Sequence, residues 1–467
     1  MSDIKNKDQD IELICDSHKG LADLYFKYNK SRVIGISQNE YYYFTSSKLW
    51  KLEISRAHMI NDIRDFLIIK IKDKMIQYIE NKKITDELRD ILYKVKTGKT
   101  CDYIFEMTHT QFLDITFMDK LNKSKYELPI KNNKIINLKT KQIRDRIHTD
   151  YFDFEINCEY TEHQENALKF FKSIMCDNME AVEYIKRILG YSISGDTSKH
   201  SLFISWGEGG NGKSALYSLI NKIITNKLYT PCNKKIFIKN ESNSSHTEHL
   251  IPLLCSRIGV YSESAKNAEL NEDTIKQITG GDAMDIRAIY GRTFQFKPIC
   301  KFHMMTNNKP IFTVSESMRR RIVYIPFNAR FCDNPKLLNE YKKDVEFIEK
   351  LENEYINEVF SFLIDGAYSF FKSNTFGDIP DTIQKQTDNY YKELDSIQCF
   401  IDQCIIADPI NNIKKTNLYD EYNSYCNGEG VKNIETKQSF YKALESKNYM
   451  FIIINGTRYV KNIKLIN

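Results

Sequence analysis

Residues 202–223 read Leu-Phe-Ile-Ser-Trp-Gly-Glu-Gly-Gly-Asn-Gly-Lys-Ser-Ala-Leu-Tyr-Ser-Leu-Ile-Asn-Lys-Ile. The apolar run Leu202–Trp206 has the length of a buried strand and stops at Gly207. The spacing Gly207-x4-Gly212-Lys213-Ser214 then fits a phosphate-binding loop set between a strand and a helix. Leu216, Leu219, Ile220 and Ile223 recur at three- and four-residue steps. The segment after the loop is therefore helical, with one face for a sheet and an N-terminus whose free N–H groups point at an anion.

Within Gly207, Glu208, Gly209, Gly210, Asn211, Gly212, Lys213 and Ser214, the residue types have distinct chemical tasks. Glycines let backbone amides curl around phosphate oxygens, Lys213 reaches the β and γ oxygens, and the Ser214 hydroxyl is a ligand for Mg²⁺. ATP and Mg²⁺ are the cofactors this pattern calls for.

Three stretches further along add chemistry to the loop. Arg257–Glu263 is a short apolar strand ending in an acid, and a carboxylate at the carboxyl end of a strand lies where open α/β sheets bind ligands. Glu263 is thus placed to hold the Mg²⁺ shell or orient an attacking water. Residues 299–305 form another strand, followed by Thr306-Asn307-Asn308-Lys309-Pro310, so the Asn307 amide is expected at the sheet edge within reach of a γ-phosphate or water. Met318-Arg319-Arg320-Arg321 runs into the strand 322–327 and offers fixed positive charge to a phosphoryl transition state, in cis or across a subunit boundary. Between these, a helix over 271–278 and the turn Thr279-Gly280-Gly281-Asp282 lead into a hairpin, 284–289 and 293–296. Its tip, Tyr290-Gly291-Arg292, with Arg287 behind it, suits a nucleic-acid backbone.

The composition is that of a globular protein. The chain has 467 residues, 42% of them hydrophobic and 28% charged, and its net charge of +5 is only a faint pointer to a polyanionic partner. No stretch nears the roughly 18 uninterrupted apolar residues of a membrane span. Residues 1–10 are polar and mixed in charge, unlike a signal or transit peptide. A cytoplasmic location, host cytoplasm for a viral chain, and no membrane partner are expected. Eleven cysteines, scattered and odd in number, do not make a disulfide framework. Cys300 and His303 have no second pair at zinc spacing, which favours buried thiols.

Outward from the loop, residues 1–20 read as a disordered tail and 21–160 as an α+β domain. It carries a short helix near Leu21–Tyr28, strands at 33–36 and 41–44, a helix over 54–82 and another over 85–95, and a β-rich module over 100–159. The Tyr41–Phe44 and Trp50 aromatics read as core, with base stacking the alternative. Helices over 161–175 and 179–189, with Gly190 as C-cap, form a helical collar over 161–195. The polar stretch 234–249 reads as a connection, solvated or ordered by a ligand. Beyond Phe327 the pattern is helical over 336–372. Three helices (395–407, 417–426, 436–447) and a hairpin with Asn455-Gly456 at its turn then make a small winged-helix-like unit. Its bases, Lys437, Lys442, Lys447 and Arg458 among them, suit phosphates, and protein docking is the alternative.

In order and spacing, Gly207–Ser214, Glu263, Lys276 through Asp282, Asn307–Pro310 and Arg319–Phe327 resemble the motifs of superfamily 3 helicases, in the poxvirus-type and phage or plasmid primase-helicase branch. There they are Walker A, Walker B, motif B′, the sensor asparagine and the arginine finger. Over residues 20–160 and 387–400 the likeness is looser. Glu263 is followed by Ser264 where the superfamily often pairs acids, and the length ahead of the core leaves no room for the primase domain of larger relatives. The resemblance implies an AAA+-like P-loop NTPase core over 196–330, a helical extension over 331–378 and the winged-helix-like domain over 379–467. It further implies an ATP-dependent helicase that forms a homo-hexameric ring on single-stranded or forked DNA, the 287–292 hairpin in the pore, with a separate primase or polymerase. Lys213, Glu263, Asn307 and one of Arg319, Arg320 and Arg321 would be catalytic. The alternatives are a P-loop phosphotransferase and an ATP-binding scaffold that recruits a primase.

Overall fold

A computed structural model describes residues 17–37, 40–97, 99–239, 248–262, 266, 268–287, 293–431 and 434–466, with only the backbone of Arg287, Thr293, Phe294 and Phe296. The chain divides into two units between Thr161 and Glu162.

In the first unit Ser17 caps the helix His18–Asn29 by accepting from the Gly20 N–H at 3.1 Å. Helix thus begins inside the stretch read as a tail. Strands Val33–Ser37, Glu40–Phe44 and Trp50–Glu53 form an antiparallel sheet. The helix Arg56–Gln77 buries Met59, Ile63, Leu67 and Ile71 at four-residue steps, and Lys82–Lys96 follows. Tyr41, Tyr42, Tyr43 and Trp50 are all buried, so these aromatics are core. One expectation fails: residues 99–112 are helical, not β-rich, because Cys101, Ile104, Phe105, Thr108 and Phe112 share one buried face. The hairpin expected further on is present as Glu127–Ile130 and Lys134–Asn137, with Ile143–Asp145 as a third antiparallel strand.

The second unit opens with two helices, α1 (Glu165–Ile174) and α2 (Met179–Ser192). Gly190 does not cap α2 but lies within it, where it meets α4 (Ile356–Ser373), with α3 (Lys213–Leu228) lying between them in the chain. A Cβ on Gly190 would sit 2.0 Å from the Ala367 nitrogen, and one on Gly366 would sit 2.0 Å from the Lys186 carbonyl oxygen. The two backbones touch, which only glycine permits.

The centre is a parallel sheet of β1 (Leu202–Trp206), β2 (Tyr229–Pro231), β3 (Ile258–Ser262), β4 (Lys301–Thr306) and β5 (Ile322–Pro326), in the order β5-β1-β4-β3-β2. Near-continuous burial of β1, β3, β4 and β5 accounts for their unbroken apolar text. Strands Met284–Arg287 and Thr293–Phe296 pair antiparallel, Arg287 opposite Thr293. Residues 336–344 are not helical as expected: Arg330–Cys332 and Glu340–Lys342 pair as short parallel strands, and helix resumes at Val345–Asn353.

Helix α5 (Asp381–Leu394) belongs to the core rather than to the C-terminal module, since Tyr390 and Tyr391 pack among Phe312 and Tyr324. The module starts at Ser396 and holds helices Ser396–Cys404, Lys415–Gly428 and Lys437–Ser446. Its sheet has three strands, not two, because Ile405–Lys414, read in part as helix, pairs with Thr457–Leu465, which pairs with Phe451–Ile454. Asn455 and Gly456 have φ of 47° and 76°, the left-handed pair that a two-residue hairpin turn needs. Among the described residues no helix is long and apolar enough to cross a membrane.

Candidate nucleotide site

The loop Gly207–Gly212 leaves the carboxyl end of β1 and enters α3. It is pinned from below by neighbouring strands: the Gly207 N–H donates to the Thr306 carbonyl at 3.2 Å, and the Phe327 N–H to the Trp206 carbonyl at 2.7 Å. Gly209, Gly210 and Gly212 adopt φ of 111°, 59° and 85°, a curl that residues with a side chain rarely take. Gly207 is required for another reason, since a Cβ there would lie 2.5 Å from the Phe327 carbonyl oxygen.

Asn211 and Lys213 hold each other at the centre of the loop. Buried Asn211 donates through Nδ2 to the Phe327 carbonyl at 3.3 Å. Lys213 Nζ donates to the Gly207 carbonyl at 2.7 Å and to Asn211 Oδ1 at 3.0 Å. Only 5% of Lys213 is exposed, and burial pushes its ammonium down to about 8. Among the described residues its partners are neutral oxygens, so there a buried cation stands without a counter-charge beside the N–H groups of α3. A phosphate group satisfies both.

The loop forms one wall of a cavity of about 750 Å³, within the usual range for small-molecule sites. Lys169, Phe170 and Ser173 of α1 line another side, and Phe331, Tyr341, Phe347 and Ile348 a third. Phe331 and Tyr341 have ring centroids 5.7 Å apart, and the Phe331 N–H donates to the Gly210 carbonyl at 2.7 Å. The Tyr341 hydroxyl donates to Asp177 Oδ2 at 2.7 Å. A polar phosphate cradle therefore continues into an aromatic chamber, the division of chemistry that a nucleoside triphosphate presents. Ser214, in the first turn of α3, also lines the cavity, and a hydroxyl oxygen there suits a hard cation such as Mg²⁺. Glu208 is exposed on the loop.

Asn307 follows β4 directly and lines the same cavity, so the structure brings it and the loop together. Glu263 lies outside the described residues; β3 ends at Ser262, one residue before it. Tyr290 and Arg292 also lie outside them, and Arg287 is placed by its backbone alone, at the end of its strand. Lys276 pairs with Glu272 at 3.0 Å, one turn away on its own helix.

The arginine run enters β5 at the opposite end of the sheet. Leu202, first in β1, donates its N–H to the Arg321 carbonyl, and Ile322 pairs with Leu202 in parallel register. A five-residue strand at about 3.3 Å per residue separates this run from the loop, or roughly 16 Å. Reaching the loop of the same chain is therefore excluded. Arg321 is held by Thr279 Oγ1 at 3.3 Å and the Ser317 carbonyl at 2.8 Å, and burial, with Arg320 beside it, pushes its guanidinium below the ordinary value. Arg319 lies 4.8 Å over the Tyr391 ring. Arg320 is exposed, and its guanidinium makes no hydrogen bond or ring contact among the described residues.

Beneath the loop, a buried polar chain joins four elements. Ser205 Oγ of β1 and the Tyr217 hydroxyl of α3 lie 3.0 Å apart, Tyr217 meets His303 Nδ1 of β4 at 2.9 Å, and His303 Nε2 meets Ser192 Oγ of α2 at 2.9 Å. Burial pushes His303 down to about 3, so it is neutral and structural. Cys300 is likewise buried, and burial pushes its thiol up to about 12. At the amino end of the sheet, Arg257 donates to the Ile193 carbonyl at 3.0 Å and Lys301 to the Ser194 carbonyl. Burial pushes both below their ordinary values, Lys301 well below with Arg257 beside it, and the carbonyls that end α2, where the helix dipole favours positive charge, offset part of this.

A pH dependence follows from Lys213. Phosphate oxygens favour its charged form, so binding raises its pKa above the free value near 8. Below about pH 7 the lysine is charged in both states and affinity is flat. Above about 8 binding must take up a proton, and affinity falls by up to roughly tenfold per unit. Fluorescent-nucleotide titrations between about pH 6.5 and 9.5 should show this decline, and Lys213→Arg, charged throughout, should flatten it.

A family model described as a family of unknown function (DUF5906) matches residues 205–321. The chain is 27% identical over 366 residues to a protein of Acanthamoeba polyphaga mimivirus named "Putative helicase L207/L206", covering 74% of this chain and 36% of that protein. It is 24% identical over 263 residues to "Putative helicase 121R" of Invertebrate iridescent virus 3, covering 53% and 28%. To "Putative primase C962R" of African swine fever virus it is 24% identical over 290 residues, covering 58% and 30%. The chain thus matches about a third of the length of the curated relatives, which are viral proteins carrying helicase and primase names. Among solved structures, the apo C-terminal region of NrS-1 covers 72% of this chain and 83% of its own at 12% identity and a TM-score of 0.43, a likeness too loose to define a shared fold.

Proposed function

We propose that this chain is the motor of a nucleic-acid helicase of superfamily 3 type, hydrolysing ATP to move along single-stranded or forked DNA in viral genome replication. The observation that carries this reading is the split placement of charge. Lys213, Ser214 and Asn307 share one cavity at the carboxyl edge of the sheet, while Arg320 stands exposed at the amino edge. An arginine that completes such a site must come from a second copy, which is the logic of a ring with nucleotide between subunits. In this reading Lys213 holds the phosphates, Ser214 and Glu263 hold Mg²⁺, Glu263 orients the water and Asn307 contacts the terminal phosphate. Mg²⁺ would neutralise charge on the phosphates. Arg287, Tyr290 and Arg292 form the DNA contact, and the C-terminal module, whose order is helix, strand, two helices and hairpin, is winged-helix-like. The helicase and primase names of the viral relatives support the reading, and a primase or polymerase is the expected partner.

The test is ATP turnover with and without single-stranded DNA, together with strand separation on a forked duplex. Turnover stimulated severalfold by DNA, with unwinding, is the expected result. Turnover indifferent to DNA, with no strand separated, would sink the helicase assignment and favour a phosphotransferase, while negligible turnover in assembled oligomers would favour a scaffold.

A further inference from the structure

Asn307 makes no hydrogen bond within the described residues, yet it lines the cavity. Its position is set by the residues after it, and one helix grips them. Lys309 Nζ donates to both carboxylate oxygens of Glu393, at 2.9 and 2.8 Å, and lies 5.0 Å over the ring of Trp206, the residue before the phosphate loop. The Tyr390 hydroxyl donates to the Pro310 carbonyl. Phe312 packs edge-on against Tyr390, with centroids 5.8 Å apart. On the far side Ile311 is tied by its N–H to the Ala268 carbonyl at 2.8 Å. Tyr390 is 1% exposed, so water cannot stand in for its hydroxyl.

We propose that Tyr390 and Glu393 are positioning residues: from α5 they hold the Thr306–Phe312 loop so that the Asn307 amide faces the terminal phosphate. This rests on the nucleotide reading above. A loop released from α5 still closes the cavity, because Asn307 remains next to β4, but its amide loses its fixed place. Positioning of this kind acts on the chemical step and leaves ground-state binding largely alone.

The test uses the full chain with Tyr390→Phe, Glu393→Gln and the charge exchange Lys309→Glu with Glu393→Lys. Steady-state ATP turnover and affinity for a non-hydrolysable ATP analogue are measured for each. Tyr390→Phe should lose about 10- to 100-fold in kcat and Glu393→Gln, whose carboxylate is more than half exposed, about two- to fivefold; both should keep analogue affinity within about twofold, and the exchange should recover part of the Glu393→Gln loss. Wild-type kcat in both single variants overturns the proposal. So does a parallel fall in kcat and affinity, which marks damage to the cavity, and an exchange that recovers nothing removes the ion pair from it. If the wild-type chain itself turns over no ATP, the hydrolysis reading falls first and takes this one with it.

Discussion

Replacing Lys213 by alanine should lower ATP turnover by about 10²–10³-fold, or roughly 3–4 kcal/mol of transition-state stabilisation. Lys213 is the lysine of the loop itself, and on the proposed reading its charge is needed most when negative charge moves onto the leaving phosphate oxygens. The truncation should not destabilise the fold. It removes an ammonium that is buried and, among the described residues, without a counter-charge, and desolvating such a group costs more than its two hydrogen bonds to neutral oxygens return. A melting temperature equal to or above that of the wild type, measured beside the loss of turnover, separates this outcome from simple unfolding. Turnover within tenfold of wild type would remove the loop from the reaction.

Arg320→Ala should be at least as damaging alone, by about 10³-fold in kcat if it acts as an arginine finger, and its loss should be curable by mixing. A Lys213→Ala subunit has a dead cavity and an intact amino edge; an Arg320→Ala subunit has the reverse. Since the two edges lie roughly 16 Å apart in one chain, each variant lacks what the other can lend, and a mixed assembly contains some wild-type sites. Activity that appears on mixing two inactive preparations, passing through a maximum near equal amounts, is the expected result. No recovery at any ratio, or full activity of Arg320→Ala alone, would count against a shared site. Arg321→Ala should instead lower thermal stability, because its guanidinium ties the strand entry to Thr279 and Ser317.

The parts of this site that were legible in the sequence are local. The glycine spacing from Gly207 to Gly212 and the apolar strand before it lie within a dozen residues, and a loop's curl is encoded where the loop is. Asn307 could be read for a similar reason, from a strand ending in polar residues. The aromatic wall could not. Phe170, Phe331, Tyr341 and Phe347 come from three separate segments, and the short strands that present two of them, Arg330–Cys332 and Glu340–Lys342, are too brief and too polar to show alternation. Their neighbours read as helix by composition, so tertiary pairing overrode local preference. The allegiance of α5 was hidden likewise: Gly377–Pro380 reads as a linker, and only the packing of Tyr390 on Tyr324 and Phe312 shows which side of it the helix joins. The arginine run was visible, but whether it served its own chain or another depended on strand direction, which no motif spells out.

The contact of α2 with α4 through Gly190 and Gly366 has a mechanical corollary. Where side chains separate two helices, rotamer changes absorb small displacements; at this crossing backbone meets backbone, and no side chain lies between them to yield. A push on one helix reaches the other undamped, and the pair behaves as a single stiff strut. Through Ser192, which ends α2 and bonds His303, that strut bears on the middle of the sheet. On the proposed reading, a stroke that accompanies nucleotide turnover would then arise in elements hinged to this strut rather than within it.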